Sequence, residues 1–359
     1  MGNRKNSTGW FVAVLIVTAF ILIAFAGFCI YIDPFLHYHK PLDGYAYHTV
    51  ENEPYMNDGI IRQYDFSGVI TGSSMTENFK TSEAEQLFGG RFIKIPLNGA
   101  SFYEHSNQLD RVYSKGKTPS VVIRALDPDG LVVSKDYSRH DYSDIEFIFN
   151  DNPFDDVNYI FNLHLFTVHT LALLGNSQPK EMPSMDFDKY CTWEYDTGVD
   201  AVLLQDASLP PVDAEELFTD DHKEILLANI RQNVTNMADE HPETTFYCFF
   251  SPYSIYYWDS LNSSAKIRWL LEAERTAAEE ILGHPNIKLF MFSSNYDLTC
   301  NLDNYKDMRH YSSKVNSQIL KWMSDGEYML TSDNFQNRYD EVERFYTSYD
   351  YSALKHLGD

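Results

Sequence analysis

Hydrophobic positions along this chain fall into three regimes. The first is unbroken: from Trp10 to Ile32 the sequence reads WFVAVLIVTAFILIAFAGFCIYI, with no charged residue. A helix of that length outspans a hydrocarbon core of about 30 Å. Arg4 and Lys5 precede it and Asp33-Pro34 follow. The basic residues on the amino side predict a cytoplasmic tail over 1–9, a membrane anchor over 10–32 and an extracytoplasmic remainder over 33–359. A cleaved signal peptide is the competing reading, because Ala24-Phe25-Ala26 has the small-x-small form of a cleavage site. The six apolar residues after Ala26 favour the uncleaved anchor, and both readings export the domain.

The second regime, residues 33 to 65, is rich in aromatics, prolines and histidines without a clear period. So many Tyr and Phe predict an irregular lead-in packed on the domain, not a flexible linker. From residue 66 a third regime alternates short apolar runs with amphipathic ones. Strands are expected at 66–71, 91–97, 120–126, 244–250 and 286–292. Helices are expected at 75–88, from near Ser101, at 213–239, at 261–282 and from near His310. The rhythm breaks over an insertion at about 128–212. Continuous apolar strands separated by amphipathic helices predict an α/β domain with a mostly parallel five-stranded sheet covered on both faces. Such sheets place their chemistry outside the carboxyl ends of the strands.

Charge narrows the partners. All 52 acidic residues lie after position 32 and 2 of the 28 basic ones before it, so the exported part carries 26 − 52 = −26 formal charges. That surface repels nucleic acid and keeps the domain soluble. Cys191, Cys248 and Cys300 outside the apolar run allow one disulfide at most, so this is no cystine-stapled scaffold. His37 and His39 alternate like strand neighbours, but no Cys or acidic cluster completes a metal set around them. No metal or organic cofactor is implied.

Three strand-end loops carry suitable chemistry. They are Gly72-Ser73-Ser74-Met75, Leu97-Asn98-Gly99-Ala100-Ser101, and Asp307-Met308-Arg309-His310. Gly-x-Ser-x-Gly, His-Glu-x-x-His and Gly-x-x-x-x-Gly-Lys are absent. A serine needs a base to take its proton, and a histidine base needs an acceptor that fixes its tautomer. Ser74, His310 and Asp307 can supply those three parts, with the backbone N–H groups of Ser74 and Gly99 as oxyanion donors. Against this, Glu77 stands three residues after Ser74 and fits a capping box, which would commit the Ser74 hydroxyl to its own helix. A metal hydrolase using Asp303, Asp307 and His310 is a further alternative. The aromatic segment 251–259 follows the fourth strand, so Tyr253, Tyr256 and Trp258 are candidates to stack on a sugar, with packing as the alternative. Arg62 and Arg124, near strand ends, are candidates to pair with a substrate anion or with local acids.

On these residues the sequence resembles the SGNH (GDSL-type) hydrolase and acyltransferase superfamily. Gly72 to Ser74 match its first block, Gly99 the glycine of its second, and Asp307 and His310 its Asp-x-x-His block. The resemblance covers roughly residues 62–325 and implies a flavodoxin-like three-layer fold with Ser74 as nucleophile. One block departs: where the family offers an Asn after the third strand, this chain reads Arg124-Ala125-Leu126-Asp127-Pro128-Asp129. An ionised Asp127 aimed at an oxyanion would oppose catalysis. The membrane-anchored members look most similar, among them D-alanyl-lipoteichoic acid transfer proteins and polysaccharide O-acetylation proteins. The resemblance implies a serine esterase or O-acyltransferase acting on acyl esters of a cell-envelope glycan or glycopolymer, with a membrane acyl-donor protein as a further partner. The alternative is a catalytically inactive SGNH-like binding or assembly protein of the envelope.

Overall fold

The computed structural model describes residues 3–50, 52–193, 195–203 and 216–356. Parts of the expected insertion and the first residues of the helix expected at 213–239 lie outside these. The chain divides into two compact units, Met1–Tyr64 with Tyr142–Asp186, and Asp65–Asp141 with Phe187–Asp359. The expected insertion is therefore shared: 142–186 belongs to the first unit, while 128–141 and the chain from 187 stay with the second.

In the first unit one helix runs Asn3–Ile32, and its stretch Thr8–Ile32 is long and apolar enough to cross a membrane. Asp33 ends it and organises the turn that follows. Its buried carboxylate accepts the backbone N–H groups of His37, Tyr38 and His39 and the Tyr159 hydroxyl. Burial alone pushes the Asp33 carboxyl up, against those four hydrogen bonds. The lead-in expected to be irregular also contains the helix Glu53–Gln63.

The second unit is α/β. Its strands are β1 Gly68–Thr71, β2 Phe92–Lys94, β3 Val121–Leu126, β4 Thr245–Phe250, β5 Ile287–Met291 and β6 Met329–Leu330. They form one sheet in the order β2-β1-β3-β4-β5-β6. All pairs are parallel except β5 with β6. Five strands were expected from the sequence. The sixth is a two-residue antiparallel edge, too short to show a period. Every residue of β1 and β2 is buried, as strands covered on both faces require. The helix Thr81–Phe88 packs with Ser313–Asp325, and Ile267–Ile281 packs with Asp220–Ile230 and Phe335–Ser348.

Two helices differ from expectation. The one expected at 75–88 is a short 3-10 turn, Ser74–Thr76, followed by the helix Thr81–Phe88. The buried Lys94 ammonium donates to the carbonyls of Glu77 and Phe79, which a continuous helix would have used itself. The helix expected at 261–282 is two, Ile255–Ser263 and Ile267–Ile281. All four cysteines are free.

The order of the first three strands matters most for the site. From β1 the chain crosses to β2 on one side and then to β3 on the other. The order of strand addition therefore reverses between β1 and β3, where open α/β sheets form a crevice at the carboxyl ends. Ser73 and Ser74 leave β1 there, and Asp127 leaves β3.

Candidate active site

The turn after β1 begins at Gly72, whose φ is +149°. A Cβ there would lie 2.7 Å from the Thr76 methyl and 2.9 Å from the Ala125 Cβ, so the close approach of β1 and β3 requires glycine. Ser73, not Ser74, caps the following turn, accepting the Met75 N–H at 3.3 Å. The capping-box alternative for Ser74 is thus replaced, and its hydroxyl is free of its own turn. Ser74 Oγ lies 2.8 Å from His310 Nε2, within reach for proton transfer. His310 Nδ1 lies 2.7 Å from Asp307 Oδ2. Residues 236 positions apart in sequence thus stand in one hydrogen-bonded line.

Asp307 is held as firmly as it holds. Its Oδ1 accepts the backbone N–H groups of Arg309 and His310, each at 2.8 Å. Burial works to raise the Asp307 carboxyl, but the hydrogen bonds and charge of His310 and the two backbone donors outweigh it and lower it below the usual range. An ionised Asp307 keeps the proton on Nδ1 and leaves Nε2 to face the serine.

The serine turn and the chain after His310 are fastened to each other beside this line. The Met75 carbonyl accepts from Asn316 Nδ2 at 2.9 Å and from the Tyr311 hydroxyl at 3.4 Å. On the far side Ser254 donates both its N–H and its hydroxyl to the Met308 carbonyl, at 3.0 and 2.9 Å. The loop carrying His310 is therefore tied both to the serine turn and to the end of β4.

A cleft of about 480 Å³ opens at Ser74 and His310, within the size range of ligand sites. Gly99 and Asn98 line it from the loop after β2, and Asp127, Asp129 and Gly130 from the end of β3. Among the described residues, no bonded acceptor is seen for the N–H of Ser74 or of Gly99. Those groups are available to a developing oxyanion.

The structure brings Asp127 into the cleft wall but gives it other work. Its Oδ2 accepts the Ser73 hydroxyl and its Oδ1 the Ser251 hydroxyl at 2.7 Å. It braces the serine turn to the end of β4. Desolvation at this part-buried position pushes the Asp127 carboxyl up in spite of both hydroxyls, which disfavours the ionised form.

Two arginines that the sequence reading passed over line the same cleft. Arg309 pairs with Asp129 at 2.8 Å and lies against the rings of Tyr253 and Tyr257. Arg139 sits exposed above Gly99, its guanidinium carbon 3.4 Å from where a Cβ would project. Glu104 fixes the backbone beneath it, accepting the N–H groups of Arg139 at 3.0 Å and His140 at 3.1 Å. The same carboxylate closes a capping box with Ser101, and these donors lower it below the ordinary carboxylate range although burial opposes them. Trp193 stands edge-on to His310 with ring centres 5.7 Å apart. Chain order alone could not have placed Arg139 or Trp193 here.

The remaining expectations separate. Tyr253 lines the cleft, though its side chain is buried. Tyr256 and Trp258 do not line it. They are buried in the helix Ile255–Ser263, with Trp258 stacked on Tyr346 at 3.8 Å, so packing, the alternative reading, describes them. Arg62 belongs to the first unit. There it binds Asp58 at 2.5 Å, Asp151 at 2.8 Å, and the carbonyls of Ile148 and Asn150. Arg124 is buried within the sheet unit and donates to the carbonyls of Asn233 and Phe102. Its burial lowers it to about 10, so it keeps its charge at neutral pH. Among the described residues no group of three or more His, Cys, Asp or Glu side chains is placed to hold a metal ion. A scan against protein-family models finds no match for this chain, and a search of the curated proteins finds none.

Proposed function

We propose that this chain is a membrane-anchored serine esterase or O-acyltransferase of the SGNH type, acting on acyl esters of a cell-envelope glycan or glycopolymer. The observation that carries the reading is the continuous line from Ser74 Oγ through His310 to Asp307 Oδ2 at the mouth of a cleft. The strand order β2-β1-β3-β4-β5 supports it, because this is the flavodoxin-like order. His310 takes the Ser74 proton as the oxygen attacks the acyl carbonyl. The Ser74 and Gly99 N–H groups hold the oxyanion, and His310 returns the proton to the departing alcohol. The acyl group then passes from Ser74 to water or to a hydroxyl of the acceptor, with His310 activating whichever enters. The anchor leaves the amino terminus in the cytoplasm and the sheet unit outside.

A second reading, an inactive binding or assembly protein on the same scaffold, is favoured by one observation: Asp127 stands where the family carries an oxyanion-donating Asn. Labelling of the full chain with a fluorophosphonate separates the two. The catalytic reading expects labelling that disappears in Ser74→Ala. A folded wild type that stays unlabelled leaves the binding protein.

A further inference from the structure

The first unit holds a second uncharged stretch. Residues 157–179 contain no Asp, Glu, Lys or Arg, in a chain that is 22% charged. They form the turn Val157–Ile160 and then a π-type turn Leu165–Thr170 that runs into the helix Leu171–Gly175. One side is buried, through Leu165, Thr170 and Leu173. The other side carries Asn158, His164 and Thr167 but also exposes several large apolar side chains. Phe154 is 88% exposed and Leu163 72%, and Val157, Val168 and Leu171 are about half exposed. Large apolar residues on the exposed as well as the buried side depart from the polar outer face of a water-facing helix. Contiguous exposed apolar residues of this kind mark a contact surface.

The packing of this stretch identifies the occupant. Phe161 stacks on Phe25 with ring centres 5.9 Å apart, and Phe166 contacts Phe25 at 5.0 Å and Phe28 at 6.3 Å. Phe25 and Phe28 belong to the Thr8–Ile32 span, and Phe25 lies seven residues before its end, about 10 Å along the helix axis. Any bilayer that receives the anchor therefore reaches the depth of Phe161 and Phe166. We infer that residues 154–172 form a second membrane contact, lying in the interfacial layer beside the anchor with Phe154, Val157, Leu163, Val168 and Leu171 turned to lipid. Interfacial segments seat their apolar face at the boundary between headgroups and acyl chains. The contact would hold the first unit on the membrane at two points and stop it swivelling about a single helix.

The test uses the full chain in phospholipid nanodiscs. Single cysteines replace Phe154, Leu163 and Val168 in a background with Cys191 and Cys300 changed to serine, and each carries a nitroxide. Collisions with oxygen should dominate at all three, and collisions with a water-soluble nickel complex should dominate at a label on the exposed Glu181. Nickel access at the three sites equal to that at Glu181 overturns the inference. So does shielding from both reagents, which would mean a protein covers the face. The unmodified chain gives an independent check through a diazirine phospholipid. Labelled peptides from both 10–32 and 154–172 support the second contact. Labelling confined to 10–32 removes it while leaving the anchor, and labelling of neither removes the anchor itself.

Discussion

Asp127 lines the cleft and Asp307 stands behind His310, which lines it too, and the fold treats the two carboxyls in opposite ways. Asp307 meets two backbone N–H donors and an imidazole, all of which favour charge, and its carboxyl is lowered. Asp127 meets two hydroxyls where desolvation outweighs them, and its carboxyl is raised. A hydroxyl can donate or accept, so it tolerates a protonated acid, whereas a backbone N–H only donates. The lesson is that donor type, more than proximity to the site, assigns the role: Asp307 orients a base, and Asp127 joins two loops.

The comparison can be broken in several ways. The largest effect is expected at the pair that Asp307 serves: Ser74→Ala or His310→Ala should abolish fluorophosphonate labelling, a loss on the order of 10⁴-fold or more. Next come identical substitutions at the two carboxyls. Asp307→Asn should slow labelling by roughly 10³–10⁴-fold, because an amide no longer fixes the tautomer of His310. Asp127→Asn should change the labelling rate less than about tenfold, because an amide offers the same two hydroxyls a donor and an acceptor. Equal losses in the two variants would make Asp127 an ionised participant and undo the contrast.

Stability should separate them by sign. The native state binds fewer protons at Asp307 than the unfolded chain does, so its contribution is present above an unfolded pKa of about 3.9 and is lost as pH falls through the lower folded value. The native state binds more protons at Asp127, so its contribution is present below that value and lost as pH rises through the higher folded one. In thermal unfolding across a pH series, Asp307→Asn should remove an acid-side loss and Asp127→Asn an alkaline-side loss. Matching profiles would contradict the assignment. The smallest effect concerns Glu104, a buried carboxylate held like Asp307 by N–H donors. Glu104→Ala should cost about 1–3 kcal/mol in unfolding experiments, through the lost cap and the backbone donors left unpaired. An unchanged midpoint would show that the rim segment is held by something else.

Much of this site was legible because strand ends in a parallel sheet are forced to one edge. Ser74, Gly99, Asp307 and His310 each follow an apolar run, and topology does the rest. What escaped is what depends on contacts between separate loops. The role of Asp127 needs hydroxyls from the ends of both β1 and β4. Tyr256 and Trp258 fall in an aromatic run whose sequence does not say which side is covered, and the helix they form is buried on the sides they occupy. Arg62 precedes β1 by six residues, yet it belongs to the other unit, where local acids and carbonyls claim all of its nitrogens. The helix expected from residue 75 stops early because a buried lysine three strand-residues into β2 captures its carbonyls, a long-range event with no local mark.

The Met75 carbonyl, gripped by Asn316 and Tyr311, has a consequence for how this protein could diversify. On the catalytic reading proposed above, the Ser74 hydroxyl and His310 are aligned before anything arrives, while the exposed Arg139 lines the cleft from a separate segment. On that reading the reacting pair and the outer cleft lining sit on different stretches of polypeptide, so the outer stretch could be exchanged while the pair is kept.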